Sequence, residues 1–141
     1  MSGPTALLYP VMLQVLLTLL LLLWTGRVRV RAVRQRRVHI RDIALSGEAW
    51  PDDIRKISNN MHNQFETPIL FFVLCGAAIY LGAAGLLMVL LAWAYVASRL
   101  AHSFIHVTTN RVQHRFQAFA FGVVMLILMW ILVAARLAGV A

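Results

Sequence analysis

The chain has 141 residues, of which 61% are hydrophobic, a mean hydropathy of +0.77, and a formal charge of +8 from 13 Lys and Arg against 5 Asp and Glu. Water-soluble domains average near half apolar, so this excess excludes an ordinary soluble fold and points to a membrane protein. The single cysteine, Cys75, excludes an intramolecular disulfide, and its apolar surroundings suit a small core residue rather than a reactive thiol.

Four stretches are long enough to cross a hydrocarbon core, which takes roughly 20 apolar residues as helix. They run from about Thr5 to Trp24, Phe65 to Leu81, Leu86 to His106 and Phe116 to Ala135. The first has no basic residue before it and no small-residue cleavage pattern before Gly26, so it reads as a retained span rather than a signal peptide. "RVRVRAVRQRR" follows it, an arginine-rich run whose natural partner is the anionic phospholipid headgroup layer. No nucleic-acid recognition fold fits in the remaining residues.

Nine of the 13 Lys and Arg fall between the first two spans, and Arg99, Arg111 and Arg115 cluster around the third connection. By the positive-inside rule both long connections face the cytoplasm and both termini the opposite side, most simply in a bacterial inner membrane. Tyr9, Trp24, Tyr80 and Trp130 fall where an aromatic belt would lie.

Within the first connection, Ser46 and Gly47 read as a turn, and Pro51 with Asp52 and Asp53 as a helix start. The second helix is therefore expected over about 52–81, with a cytoplasmic extension ahead of the membrane. "GAAG" allows only a tight turn to the third span, and "HVTTNRVQHR" is a short polar link to the fourth. Consecutive spans are then antiparallel neighbours. The fold class is all-α, a single integral membrane domain built as an up-down four-helix bundle. No inverted repeat of the transporter type is present.

The polar residues inside the spans carry the chemistry. Asn59, Asn63 and Glu66 share a helical stripe on the second span, with His62 beside Glu66 at i, i+4. Pro68 cannot donate to the carbonyl of Gln64, so a kink is expected there. Tyr95, Arg99, His102 and His106 form a stripe on the third span, and Arg115 opens the fourth with His114 beside it. These groups converge at one depth and suit an anionic ligand bearing an amine at one end. The structural alternative is a Glu66–Arg99 ion pair that fixes helix packing. A metal site lacks the ligand set expected of one, and no Ser-His-Asp arrangement is present.

"NQFETP" on the second helix, "SRLAHSFIHV" on the third, an arginine opening the fourth and "TGRVRVR" after the first together resemble the MAPEG family, the membrane-associated proteins of eicosanoid and glutathione metabolism. The similarity covers nearly the whole chain. It implies a homotrimer with glutathione as thiol co-substrate between neighbouring subunits, and glutathione-dependent transferase or peroxidase chemistry on hydrophobic electrophiles that enter from lipid. By matched position, Arg29 would reach a glutathione carboxylate, and Asn63 and Glu66 would hold the ligand's backbone and amino end. His62, Arg99, His102 and His106 would line the cleft, and Arg115 would stabilise the thiolate. The sequence departs from the enzymes' pattern at Asn59, His62, His106, Phe116 and Phe119, which stand where the enzymes carry basic or hydroxyl side chains. The alternative reading is a noncatalytic lipid-binding or scaffold member.

Overall fold

The computed structural model describes residues 3–44 and 47–140, so Ser46 of the expected turn lies outside the described residues. Among the described residues five helices occur: α1 (Pro4–Arg34), α2 (Asp52–His62), α3 (Thr67–Tyr80), α4 (Leu86–Val107) and α5 (Val112–Leu137), with a 3-10 turn (Asn63–Phe65) between α2 and α3. No strand occurs among the described residues.

α1 has 31 residues, ten more than the expected span at its carboxyl end. At 1.5 Å per residue it is roughly 46 Å long, enough to cross the hydrocarbon and both headgroup layers. The basic run expected as a loop is thus helical up to Arg34. Helix continues because Val, Ala and Arg alternate there without a breaker, and Arg31 and Arg34 fall in the last turn, where cations oppose the helix dipole. The stop is a Schellman turn: the Arg37 N–H returns to Ala32 O at 3.0 Å, and Arg36 takes φ 55°.

α2 begins one residue after Pro51 with Asp52 and Asp53 in its first turn, as the sequence indicates. The expected continuous second helix is instead segmented. α3 has 14 residues, about 21 Å of rise, which is short of a hydrocarbon core of about 30 Å, so the 3-10 turn and the end of α2 complete this crossing. α1, α4 and α5 are each long and apolar enough to cross alone.

Backbone contacts fix the order of the ends. Gly3 N–H bonds to Ala84 O at 2.9 Å, and Arg136 Nε bonds to Leu81 O at 3.2 Å, so the start of α1 and the end of α5 meet the α3–α4 turn. That turn is closed by Ala83 N–H on Ala78 O at 2.8 Å, with Gly82 at φ 67°. At the other end Lys56 Nζ reaches Thr108 O at 3.0 Å. The result is the up-down bundle, with an arginine end and an opposite end.

The main core joins Leu7, Phe71, Met88, Ala92, Tyr95, Val96 and Met129, all fully buried. Phe71 stacks on Tyr95 at 4.6 Å, and the Tyr95 hydroxyl donates to Thr67 Oγ1 at 3.1 Å. A smaller cluster of Ala32, Val38, Ile54 and Trp50 holds the connection against α1 and α2 at the arginine end. Leu8, Leu19, Leu23, Phe104 and Ile127 are among many large apolar side chains left on the outside, which is the surface an integral membrane protein offers lipid. All four belt aromatics are exposed.

α4 and α5 approach closely where Gly122 faces Ser98. A Cβ on Gly122 would lie 2.6 Å from Ser98 Oγ, which is itself tied to Tyr95 O at 2.6 Å. Gly122→Ala is expected to destabilise the chain by about 1–3 kcal/mol through overpacking. Adding Ser98→Ala should recover most of that loss. Thermal unfolding of the two single variants and the double variant in detergent measures the coupling, and simple additivity would refute the close approach.

Arg37 grips Asp53 with two hydrogen bonds, at 2.9 and 3.0 Å, pinning the connection to α2. The bond holds the Asp53 carboxyl below its ordinary 3.8, and the same contact raises the Arg37 guanidinium. A depressed carboxylate contributes stability above its unfolded pKa and loses it as pH falls through the folded one. Asp53→Asn should therefore melt slightly earlier than wild type at neutral pH, with the gap closing only below pH 3.8. A gap that closes at higher pH, or not at all, rules out this carboxylate as its source.

Candidate functional site

The second crossing breaks at Glu66, whose φ of −94° and ψ of −96° are far from helical. Pro68, in the first turn of α3, has no N–H to return to the preceding turn. Lipid offers a freed carbonyl no donor, so side chains must supply one. Arg99 from α4 does so: Nη2 donates to Asn63 O at 2.9 Å. The carbonyl captured is thus one residue before that of Gln64, where the sequence placed the free acceptor.

Behind the break lies a buried amide network. Gln14 of α1 donates to Gln64 Oε1 at 3.0 Å, and Gln64 Nε2 donates to Ser103 Oγ at 3.2 Å and Asn60 O at 3.3 Å. Asn60 Nδ2 reaches Ser103 O at 3.4 Å. All four side chains are buried, so three helices are joined through polar groups inside the bundle. Removing one partner of such a bond leaves the other stranded, at about 1–3 kcal/mol.

His102 sits beside the break. Its Nδ1 is 3.0 Å from Arg115 O, and a carbonyl only accepts, so Nδ1 carries the proton. Nε2 then accepts from Asn63 Nδ2 at 3.3 Å. One turn along α4, His106 Nε2 is 3.2 Å from Arg115 Nη1 and must be the acceptor, since a guanidinium only donates. Arg115 Nη1 also donates to Asn110 Oδ1 at 2.7 Å. Asn110 does two things: its N–H returns to Ile105 O at 2.8 Å with φ 51°, ending α4, and its side chain holds Arg115. Asn tolerates this left-handed conformation better than most residues.

Arg115, His106 and Asn110 form one wall of a cleft of about 440 Å³ at the arginine end, with Lys56 and Asn59 on the other side and Asp52 and Asp53 nearby. Cations and acids therefore share one water-facing hollow. Behind it, Arg99 is 1% exposed, and its Nε and Nη1 have no protein acceptor.

Of the residues the sequence nominates, Asn63, Arg99, His102, His106 and Arg115 are brought together. Glu66 is exposed at the break. It forms no ion pair with Arg99 within 4 Å, so the structural pairing expected between them is not made within the chain. The near-miss arises because Arg99 turns to the Asn63 carbonyl. His62 is also exposed. Arg29 faces α2, with Nε on Ser58 Oγ at 3.2 Å and its guanidinium 5.3 Å from the Trp50 ring. Phe119 lies 6.2 Å from the His102 ring. Among the described residues, no group of three or more His, Cys, Asp or Glu is placed to hold a metal ion.

Sequence reasoning missed Gln14, Asn60, Gln64, Ser103 and Asn110. A lone amide in an otherwise apolar first span was a usable signal for Gln14. Asn60 and Gln64 stand at i, i+4, one position out of phase with the stripe that the sequence reading favoured.

Asn110 gives a separable test. Asn110→Gly keeps the left-handed turn and should unfold within a few tenths of a kcal/mol of wild type. Asn110→Ala should cost about 1–2 kcal/mol. Equal stability of the two variants in thermal unfolding would mean that the turn does not depend on this conformation.

A comparison with protein families matches the family described as MAPEG family over residues 7–135. No curated protein matches the chain.

Proposed function

Because the chain belongs to the MAPEG family, we propose that it is a glutathione-dependent membrane transferase or peroxidase acting on hydrophobic electrophiles, working as a homotrimer. The observation that carries this reading is the clasp on Arg115. Asn110 and His106 hold one arm of its guanidinium at the wall of a charged cleft. A guanidinium within about 4–6 Å of a thiol favours the thiolate, and the thiolate is the nucleophile.

The remaining roles follow from position. Lys56 and Arg115 offer cationic contacts for the carboxylates of a small peptide, and a carboxylate nearby answers its ammonium. Asn63 is held in place by His102, and Arg99 keeps spare donors beside it. Glu66 and His62 are exposed and Arg29 is held against α2, and a neighbouring copy is what would bring them against a shared ligand. The electrophile enters sideways from lipid, which is the reason to run such chemistry in a membrane. The arginine end is assigned to the cytoplasm of a bacterial inner membrane by its charge.

A second reading draws on Phe116 and Phe119. Neither offers a hydroxyl beside Arg115, and both nitrogens of His102 are already engaged. This favours a noncatalytic lipid-binding or scaffold protein.

Thiolate absorbance on adding glutathione to the purified protein separates the two. Wild type should show it, and Arg115→Ala should lose it while still folding, with a stability loss of no more than about 1–3 kcal/mol for the stranded His106 Nε2. Glu66→Ala should weaken glutathione binding more than tenfold, the scale of a lost charge-assisted hydrogen bond of about 1.5–3 kcal/mol. Equal binding by wild type and Glu66→Ala would show that the site is misplaced. No binding by wild type would leave the scaffold reading standing.

A further inference from the structure

The end of α1 carries a feature that the glutathione reading does not use. Arg27, Arg31 and Arg34 fall at i, i+4 and i+7, so they share one face of the helix. All three are exposed, and none makes a side-chain hydrogen bond or ion pair among the described residues. Arg29, on the other side of the same helix, is bonded to Ser58. Arg37 and Arg55 have Asp53 and Asp52. Three cations without a protein partner are therefore gathered on a single outward face.

That face is also an open, shallow groove of about 680 Å³ formed by α1 alone, with Leu23 and Gly26 at one end and Arg34 at the other. Gly26 has no packing reason to be glycine, because a Cβ there would meet nothing within 4 Å. A glycine inside a helix is unfavourable, and here it hollows the surface next to the first arginine. The helix dipole accounts for cations in the last turn, namely Arg31 and Arg34, but not for Arg27 or the glycine. Topology would be served equally by arginines scattered around the connection. Trp24, an exposed interfacial aromatic, sets the depth at the boundary between acyl chains and headgroups.

We propose that this groove is a binding site for one anionic phospholipid. The phosphate is held among Arg27, Arg31 and Arg34, and the upper acyl chain lies over Gly26 against Leu23. Apolar contact below and cations above match a lipid at this depth. The three arginines rise roughly 10 Å along the helix, more than the about 5–8 Å of one headgroup layer, and their long side chains can lean back toward the membrane to meet one phosphate. The site is independent of the glutathione cleft and stands or falls separately.

Native mass spectrometry of the full chain, with phosphatidylglycerol or phosphatidylcholine added to the detergent, tests it. Wild type should retain phosphatidylglycerol preferentially. Each arginine removed should cost about fivefold, so the Arg27→Gln, Arg31→Gln, Arg34→Gln triple variant should lose on the order of a hundredfold. Arg36→Gln with Arg41→Gln should change little, because those residues lie off the face. Gly26→Leu, with all charges kept, should also weaken retention. Equal retention of the two lipids by wild type overturns the proposal, as does full retention by the triple variant. Undiminished retention by Gly26→Leu reduces the effect to diffuse charge and overturns the site. A changed subunit number with unchanged lipid retention in the triple variant would make the face a contact between copies instead.

Discussion

Inside a bilayer every backbone group must find its partner within the protein, and the broken second crossing is where this chain meets that demand. At the break, a buried guanidinium closes on the Asn63 carbonyl. Around the same point, Gln14, Gln64, Asn60 and Ser103 spend their amides and hydroxyl on one another. Gln14 ties α1 to the α2–α3 junction and the other bonds tie that junction to α4, so the relative placement of these three parts depends on a few polar contacts set within an apolar core. The candidate site grows out of this arrangement. The residue whose carbonyl is capped presents its side chain to His102, and His102 in turn reads the backbone of the residue that holds the cleft.

Charge is divided by the same logic. Acids are few, and Asp52 and Asp53, which form ion pairs, lie at the surface of the arginine end. Inside the bundle, neutral amides and imidazoles do the joining, and the one deeply buried cation, Arg99, is matched by a carbonyl rather than a carboxylate. Neutral partners avoid the desolvation of a second ion, which in low dielectric can exceed the attraction gained. Glu66 is thereby left at the surface of the single chain, where its charge is available to something outside it.

The bundle was legible because hydrophobic length and charge placement fix spans and their order almost unaided. The start of α2 was legible from Pro51 and the two acids, and the tight α3–α4 turn from its glycines. The helical arginine run was not, since basic composition after a span reads as a loop when no breaker marks the helix end. The α2–α3 break was half visible: Pro68 announced a kink, but which carbonyl would be captured depended on where Arg99 could reach. On the site, Arg99, His102, His106 and Arg115 were found by their spacing on one helix and the next. Asn60 and Gln64 were missed because two adjacent stripes on α2 are both polar, and only packing against α1 and α4 decides which turns inward. Asn110 was missed because its role needs a backbone conformation that no residue pattern states.

The contact between Gly122 and Ser98 lies two turns along α5 from Arg115 and on the same face of that helix. A helix crossing keyed in this way has one height and one rotation, since sliding by a residue would drive a side chain into backbone. α4 and α5 must then respond to a thinner or thicker bilayer by tilting as one body rather than by shearing past each other. The charged cleft formed where they join would keep its shape in membranes of different lipid composition, and adjustment would fall on α1 and the segmented second crossing instead.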